Sequence, residues 1–177
     1  MKQFLILSVT CLIVLLTSCK SNELTREKAK EVILSKTTFP IYQKGEFQTS
    51  SYNALVSLDV PKFEKLQQAG YITYTLDGWS LTAELTDKGK QFILGVERKG
   101  YYADKFVPVK TCTLEFGEVT GILNIPEQNK AEVNYTVKRT STPFGQYLFN
   151  LSDGEMPHKA TFKKYDDGWR MEGNIND

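Results

Sequence analysis

Residues 4–16 are hydrocarbon almost without interruption, relieved only by Ser8, Thr10 and Cys11. This run decides which part of the chain is available for folding. It falls short of the about 20 apolar residues that a membrane-spanning helix needs. The basic start Met1-Lys2-Gln3 precedes it, and the polar stretch Lys20-Ser21-Asn22-Glu23 follows at once with no stop-transfer pattern. A positive start, an apolar stretch and small residues at its end make a secretory signal of the kind that is removed. Any folded domain must therefore be built downstream.

The apolar run closes in Leu16-Thr17-Ser18-Cys19. A leucine, two small polar residues and a cysteine at this place resemble the lipobox of bacterial lipoproteins. The first 19 residues as a whole are similar to a type II signal peptide. The resemblance implies cleavage between Ser18 and Cys19, with diacylglycerol on the Cys19 sulfur and a fatty acyl chain such as palmitate on its new amine. Three acyl chains exceed the two signals that stable anchoring takes, each buried methylene contributing about 0.8 kcal/mol. The competing reading is a plain secretory signal cut after Ser18, leaving an unmodified cysteine on a soluble protein. Lys20, not aspartate, follows Cys19. By the same resemblance this implies the outer membrane in a double-membraned bacterium.

Removing 18 of 177 residues leaves 159, enough for one ordinary domain or two small ones. The lost segment holds one lysine and no acid, so the 22 basic and 21 acidic side chains become 21 of each. A chain of zero formal charge with no lysine or arginine block lacks the positive field on which nucleic-acid binding depends. Of three cysteines, Cys11 leaves with the signal and Cys19 takes lipid. Cys112 is then alone and has no partner for an intramolecular disulfide. It alternates with polar neighbours in Cys112-Thr113-Leu114-Glu115-Phe116, as a buried small hydrophobe in a strand does.

Residues 19–23 read as a lipidated tether. A first helix begins at Thr25-Arg26-Glu27, where Thr25 caps the first turn and Ala29, Val32 and Ile33 share a face. Phe39-Pro40 forces an extended conformation and ends it before that point. Residues 41–57 are mixed and carry no clear period. A second helix is signed by Asp59 as N-cap, Pro61 in the first turn, and Phe63, Leu66 and Ala69 on one stripe; Gly70 stops it. The turn Asp77-Gly78 joins residues 71–76 to residues 79–85 as a hairpin, in which Trp79, Leu81, Ala83 and Leu85 alternate with polar residues. A short helical stretch follows from Thr86 and runs out at Gly95.

The segments KLQQAGYI (residues 65–72) and LTDKGKQFI (residues 85–93), set around that hairpin, resemble the second half of a winged-helix domain. The resemblance covers residues 24–95 and implies a winged-helix-like fold there. It does not extend to DNA binding. The helix in the recognition position offers only Lys62 and Lys65, offset by Glu64.

From residue 96 to 177 the period changes to two. Strands are predicted over residues 101–109, 111–116, 118–125, 131–140, 146–151, 158–165 and 169–172. Asp166-Asp167-Gly168 closes the last hairpin. Its sequence, ATFKKYDDGWRME, is similar to the final hairpin of cystatin-like and NTF2-like sheets. The predicted class is α+β, with a winged-helix-like helical N-terminal half followed by a curved antiparallel β-sheet.

Catalytic chemistry is thinly represented. His158 is the one histidine, and only Asp153 and Glu155 lie near it in sequence; a Ser/His/Asp site needs three positioned groups. One histidine and one unlipidated cysteine give no ordinary metal-ligand spacing, and no phosphate cradle or other cofactor motif occurs. Asp166-Asp167 and Asp153-x-Glu155 suit turns. The aromatics Tyr71, Tyr74, Tyr101, Tyr102, Phe144 and Tyr147 serve packing or a contact surface equally well. Phe144 and Tyr147 are the candidate partner or ligand contacts, because Thr142-Pro143-Phe144-Gly145 reads as a loop with an apolar tip.

These features lead to three expectations. The first is a lipid-anchored, non-enzymatic interaction module in the cell envelope, attached to the membrane through its N-terminal lipid and holding an envelope protein or cell-wall component. The second is a small-ligand-binding lipoprotein using the concave face of the C-terminal sheet. The third is an envelope hydrolase with paired carboxylates drawn from distant strands.

Overall fold

The computed structural model describes residues 23–51, 60–100 and 104–173. The expected signal segment (residues 1–18), the lipid-attachment candidate Cys19, the candidate cap Asp59 and the Tyr101-Tyr102 pair lie outside them. Among the described residues no helix is long and apolar enough to cross a membrane.

The chain is α+β, and among the described residues all strands lie in one antiparallel sheet. Helix α1 (Arg26–Lys36) precedes strand β1 (Ile41–Ser51), and helix α2 (Val60–Gln68) leads into the hairpin of β2 (Ile72–Asp77) and β3 (Ser80–Leu85). A single helical turn, α3 (Asp87–Lys90), and the short β4 (Arg98–Lys99) connect to β5 (Lys105–Ile125). Then come β6 (Lys130–Ser141), helix α4 (Pro143–Phe149), β7 (Gly154–Tyr165) and β8 (Gly168–Glu172). The strand order is β2-β3-β1-β5-β6-β7-β8, with β4 pairing β5 off this path.

Strand β5 joins the two halves. Its first part pairs with β1, from Phe106 opposite Gln48 to Leu114 opposite Ile41. Its second part pairs with β6, from Cys112 opposite Ser141 to Ile125 opposite Lys130. The three strands predicted across residues 101–125 are thus one strand of 21 residues. Register shifts between Phe116 and Val119, and again between Val119 and Gly121, mark bulges within it; such irregularities bend a strand without ending it.

Two hydrophobic clusters lie along the sheet. Ala29 and Ile33 of α1 pack with Val119, Ala131, Val133, Tyr135, Val137, Phe162 and Met171 over β5–β8. Fully burying a side chain such as Ile33 contributes about 1.5–3 kcal/mol, which fixes this short helix to the sheet. Thr25 caps it as expected, accepting from the Lys28 N–H at 3.3 Å. The second cluster gathers Phe47, Phe63, Leu66, Ile72, Leu81, Ala83, Val107, Val109 and Phe144. Gly70 (φ 77°) ends α2 in the left-handed conformation that glycine adopts at least cost.

Residues 143–149, read as a loop running into a strand, form α4. Thr142 is its N-cap: the hydroxyl accepts from Gly145 N–H at 3.2 Å and donates to Lys110 C=O at 2.6 Å. Pro143 stands at the first helical position, where its missing N–H costs nothing. Gly145 lets the helix lie directly on β5. A Cβ there would come within 2.0 Å of the Thr111 carbonyl oxygen.

Candidate functional site

The two contact candidates of the C-terminal half separate by burial. Phe144 has 0 % of its surface exposed. Its ring packs 5.5 Å from Phe47, 5.8 Å from Phe92 and 6.2 Å from Tyr71. It is a core residue and reaches no partner in this fold; the apolar tip inferred for residues 142–145 is the buried start of α4. Tyr147 is partly buried and packs against the same cluster. Nothing brings the pair together as an outward-facing contact.

His158 lies on β7 opposite Tyr135 of β6, the rings stacked at 5.5 Å. Its Nε2 is buried without a hydrogen-bond partner, and no carboxylate hydrogen-bonds to the ring among the described residues. No cluster of three metal-ligating side chains occurs among them either.

Cys112 is fully buried, its thiol donating to Gln43 Oε1 at 3.1 Å. Burial pushes the thiol's pKa up, against the lesser downward effects of the Arg139 charge and a Thr111 hydrogen bond. Burial also raises the Tyr135 phenol. Both groups hold their protons more tightly folded than unfolded. Their contribution to stability is therefore complete below the unfolded pKa values and is lost as pH rises through the folded ones. The urea midpoint is expected to fall as pH increases beyond about 9, and the double variant Cys112→Ala/Tyr135→Phe should flatten that decline.

Two places on the surface are built differently from the rest. The first is the tip of the β2–β3 hairpin. Asp77 pairs with Ser80, which makes Gly78 and Trp79 the two turn residues. In the sequence Trp79 shares its alternation with Leu81 and Ala83. Those two are buried, but Trp79, displaced into the turn, is 60 % exposed, and Leu76 beside it is 42 % exposed. The usable signal was glycine at the first central position of a two-residue turn, which puts the next residue at the tip. Strand β2 is also the outer edge of the sheet.

The second place is a recess of about 390 Å³ near the start of α1, lined by Glu23, Asn124, Pro126, Asn129, Lys130, Lys164 and Trp169. The sheet positions these groups. Lys164 and Trp169 are cross-strand partners on β7 and β8, Asn124 is opposite Ala131 on β5 and β6, and the 3₁₀ turn Pro126–Gln128 carries Asn129 in the left-handed region. Asn124 Oδ1 accepts from Leu24 N–H at 3.1 Å, which ties the tether end to the rim. Neither Lys130 nor Lys164 has a salt bridge among the described residues. Helix α1 packs on the apolar face of the C-terminal strands that the small-ligand expectation assigned to a ligand.

The chain matches no known protein family, no curated protein and no solved structure.

Proposed function

We propose that the mature chain is a non-enzymatic interaction module, held in the bacterial cell envelope by lipid on Cys19, that engages an envelope partner protein through the tip of the β2–β3 hairpin. One observation carries the docking surface: Trp79, with Leu76 at its side, is held out on a tight two-residue turn. Exposed tryptophan on a rigid support is the residue type most enriched where binding energy concentrates. Within the sheet, β2 lies six strand positions from β8. At about 4.8 Å per step, β2 lies on the order of 30 Å from β8, at the opposite edge of the sheet.

The winged-helix-like reading of residues 24–95 belongs to the same proposal. The succession of α2, hairpin and α3 supports it, as does the placement of β3 between β1 and β2. Helix α1 departs from the pattern by packing on the far half of the sheet. In this reading the wing binds protein, consistent with zero formal charge on the mature chain.

A photo-crosslinking residue at position 79, compared in intact cells with one at the exposed Lys138, tests the assignment. A discrete adduct from position 79 alone is expected. Trp79→Ala should weaken association with that partner about 30-fold or more, the effect of a hot spot of about 2 kcal/mol, while leaving the urea midpoint unchanged. Adducts equal at both positions, or absent from position 79, would remove the hairpin tip from the account.

A further inference from the structure

Resting on the lipid-anchor reading, we propose that the recess beside the tether seats the phosphoethanolamine headgroup of a membrane phospholipid. Three residues, Lys20, Ser21 and Asn22, separate Cys19 from Glu23, a distance of four residue steps. A fully extended chain spans at most about 3.6 Å per residue, so Glu23 stands no more than about 14 Å along the chain from the acylated residue. The recess that Glu23 borders is therefore within reach of the headgroups around the acylated residue.

The lining suits that occupant in charge and shape. Lys130 and Lys164 both line the recess and form no salt bridge among the described residues, and a lysine ammonium is a point-charge partner for a phosphodiester. Glu23 supplies a carboxylate on the rim, and a primary amine one ethylene unit from the phosphate gives it a partner. The side-chain amides of Asn124 and Asn129 add hydrogen-bonding groups. Trp169 offers an indole with an apolar body and one donor, a side chain favoured at the interface between lipid and water. Tyr165, exposed at the neighbouring turn, carries Lys163 at 5.6 Å over its ring, together with Arg170 at 4.9 Å, which is paired to Asp167. A headgroup of negative charge alone would leave Glu23 opposed to the phosphate. A choline headgroup would offer Glu23 no hydrogen-bond donor.

The chain has two tryptophans, Trp79 and Trp169, so Trp79→Phe leaves Trp169 as the single emitter. The full chain, carried in a neutral maltoside detergent, is titrated with dihexanoyl phosphatidylethanolamine, phosphatidylglycerol and phosphatidylcholine, with free phosphoethanolamine and with inorganic phosphate. Saturable change in Trp169 emission is expected with phosphatidylethanolamine at the lowest concentration. Lys130→Gln and Lys164→Gln should each weaken it about fivefold, the effect of one surface lysine near anionic lipid. Glu23→Gln should bring phosphatidylethanolamine down to the level of phosphatidylglycerol. Equal responses to all three lipids, or responses unchanged in the lysine variants, would overturn the site. Free phosphoethanolamine or phosphate binding as tightly as the lipid would overturn the membrane assignment. The intact mass of the same preparation reports acylation at Cys19 independently, so failure of the anchor reading and failure of the headgroup site give separate signatures.

Discussion

Phe144→Ala is expected to destabilise the fold by about 3–5 kcal/mol, the usual cost of emptying a buried phenylalanine site. The ring has 0 % exposure and touches Phe47, Tyr71 and Phe92. Those neighbours belong to β1, to the loop after α2 and to the segment after α3. Their positions are set by three separate segments of the chain, so they cannot collapse together into the space left behind. Aromatic pairs add about 0.5–1.5 kcal/mol each beyond the area they bury, which places the loss toward the upper part of the range. Since a typical domain has only about 5–15 kcal/mol in all, the variant should show a urea midpoint lower by at least about 1 M. Tyr147→Ala should cost less, because its ring lies only partly inside the same cluster. A Phe144→Ala protein as stable as the parent would mean that residue 144 is not in the core.

Cys19→Ala is expected to abolish fatty-acid incorporation completely and to leave an uncut precursor that retains residues 1–18. Alanine has no sulfur to accept diacylglycerol, and in the lipobox resemblance cleavage follows acylation of that cysteine. Cys112 does not substitute for it. Its thiol is buried, bonded to Gln43 and held protonated by its surroundings, whereas reactive cysteines are exposed and depressed in pKa. Metabolic labelling with palmitate, read on denaturing gels, separates the outcomes. Label retained in the variant would place the lipid elsewhere.

The parts of the fold that were legible in the sequence are those whose signals are local. Thr25 capping α1, Gly70 stopping α2, and the β2–β3 and β7–β8 hairpins each depend on residues within one turn of one another. Strand β1 was not legible, because Gln43, Lys44, Gly45 and Glu46 show no apolar period. Its pairing with β5 is held by partners 55 to 73 residues away. The continuity of β5 was hidden for a related reason. Gly117 resembles a break, yet it lies against Thr136 at an interior bulge. Helix α4 was missed although Thr142-Pro143 is a sound cap followed by a proline at the first position; alternation across residues 146–151 favoured a strand instead. As for the sites, the candidate contact Phe144 was chosen for apolarity within an assumed loop, and burial reverses it. The recess draws Lys130, Lys164, Trp169, Asn124 and Glu23 from five separate segments, a convergence that no spacing rule describes.

Everything proposed for the surface presupposes that the chain is fixed at Cys19, and the intact mass of the mature protein extracted from membranes tests this most directly. The account predicts a polypeptide that begins at Cys19 and carries the added mass of one diacylglycerol and one amide-linked fatty acid. A mass matching a chain cut elsewhere, or one bearing an unmodified cysteine at position 19, would contradict it.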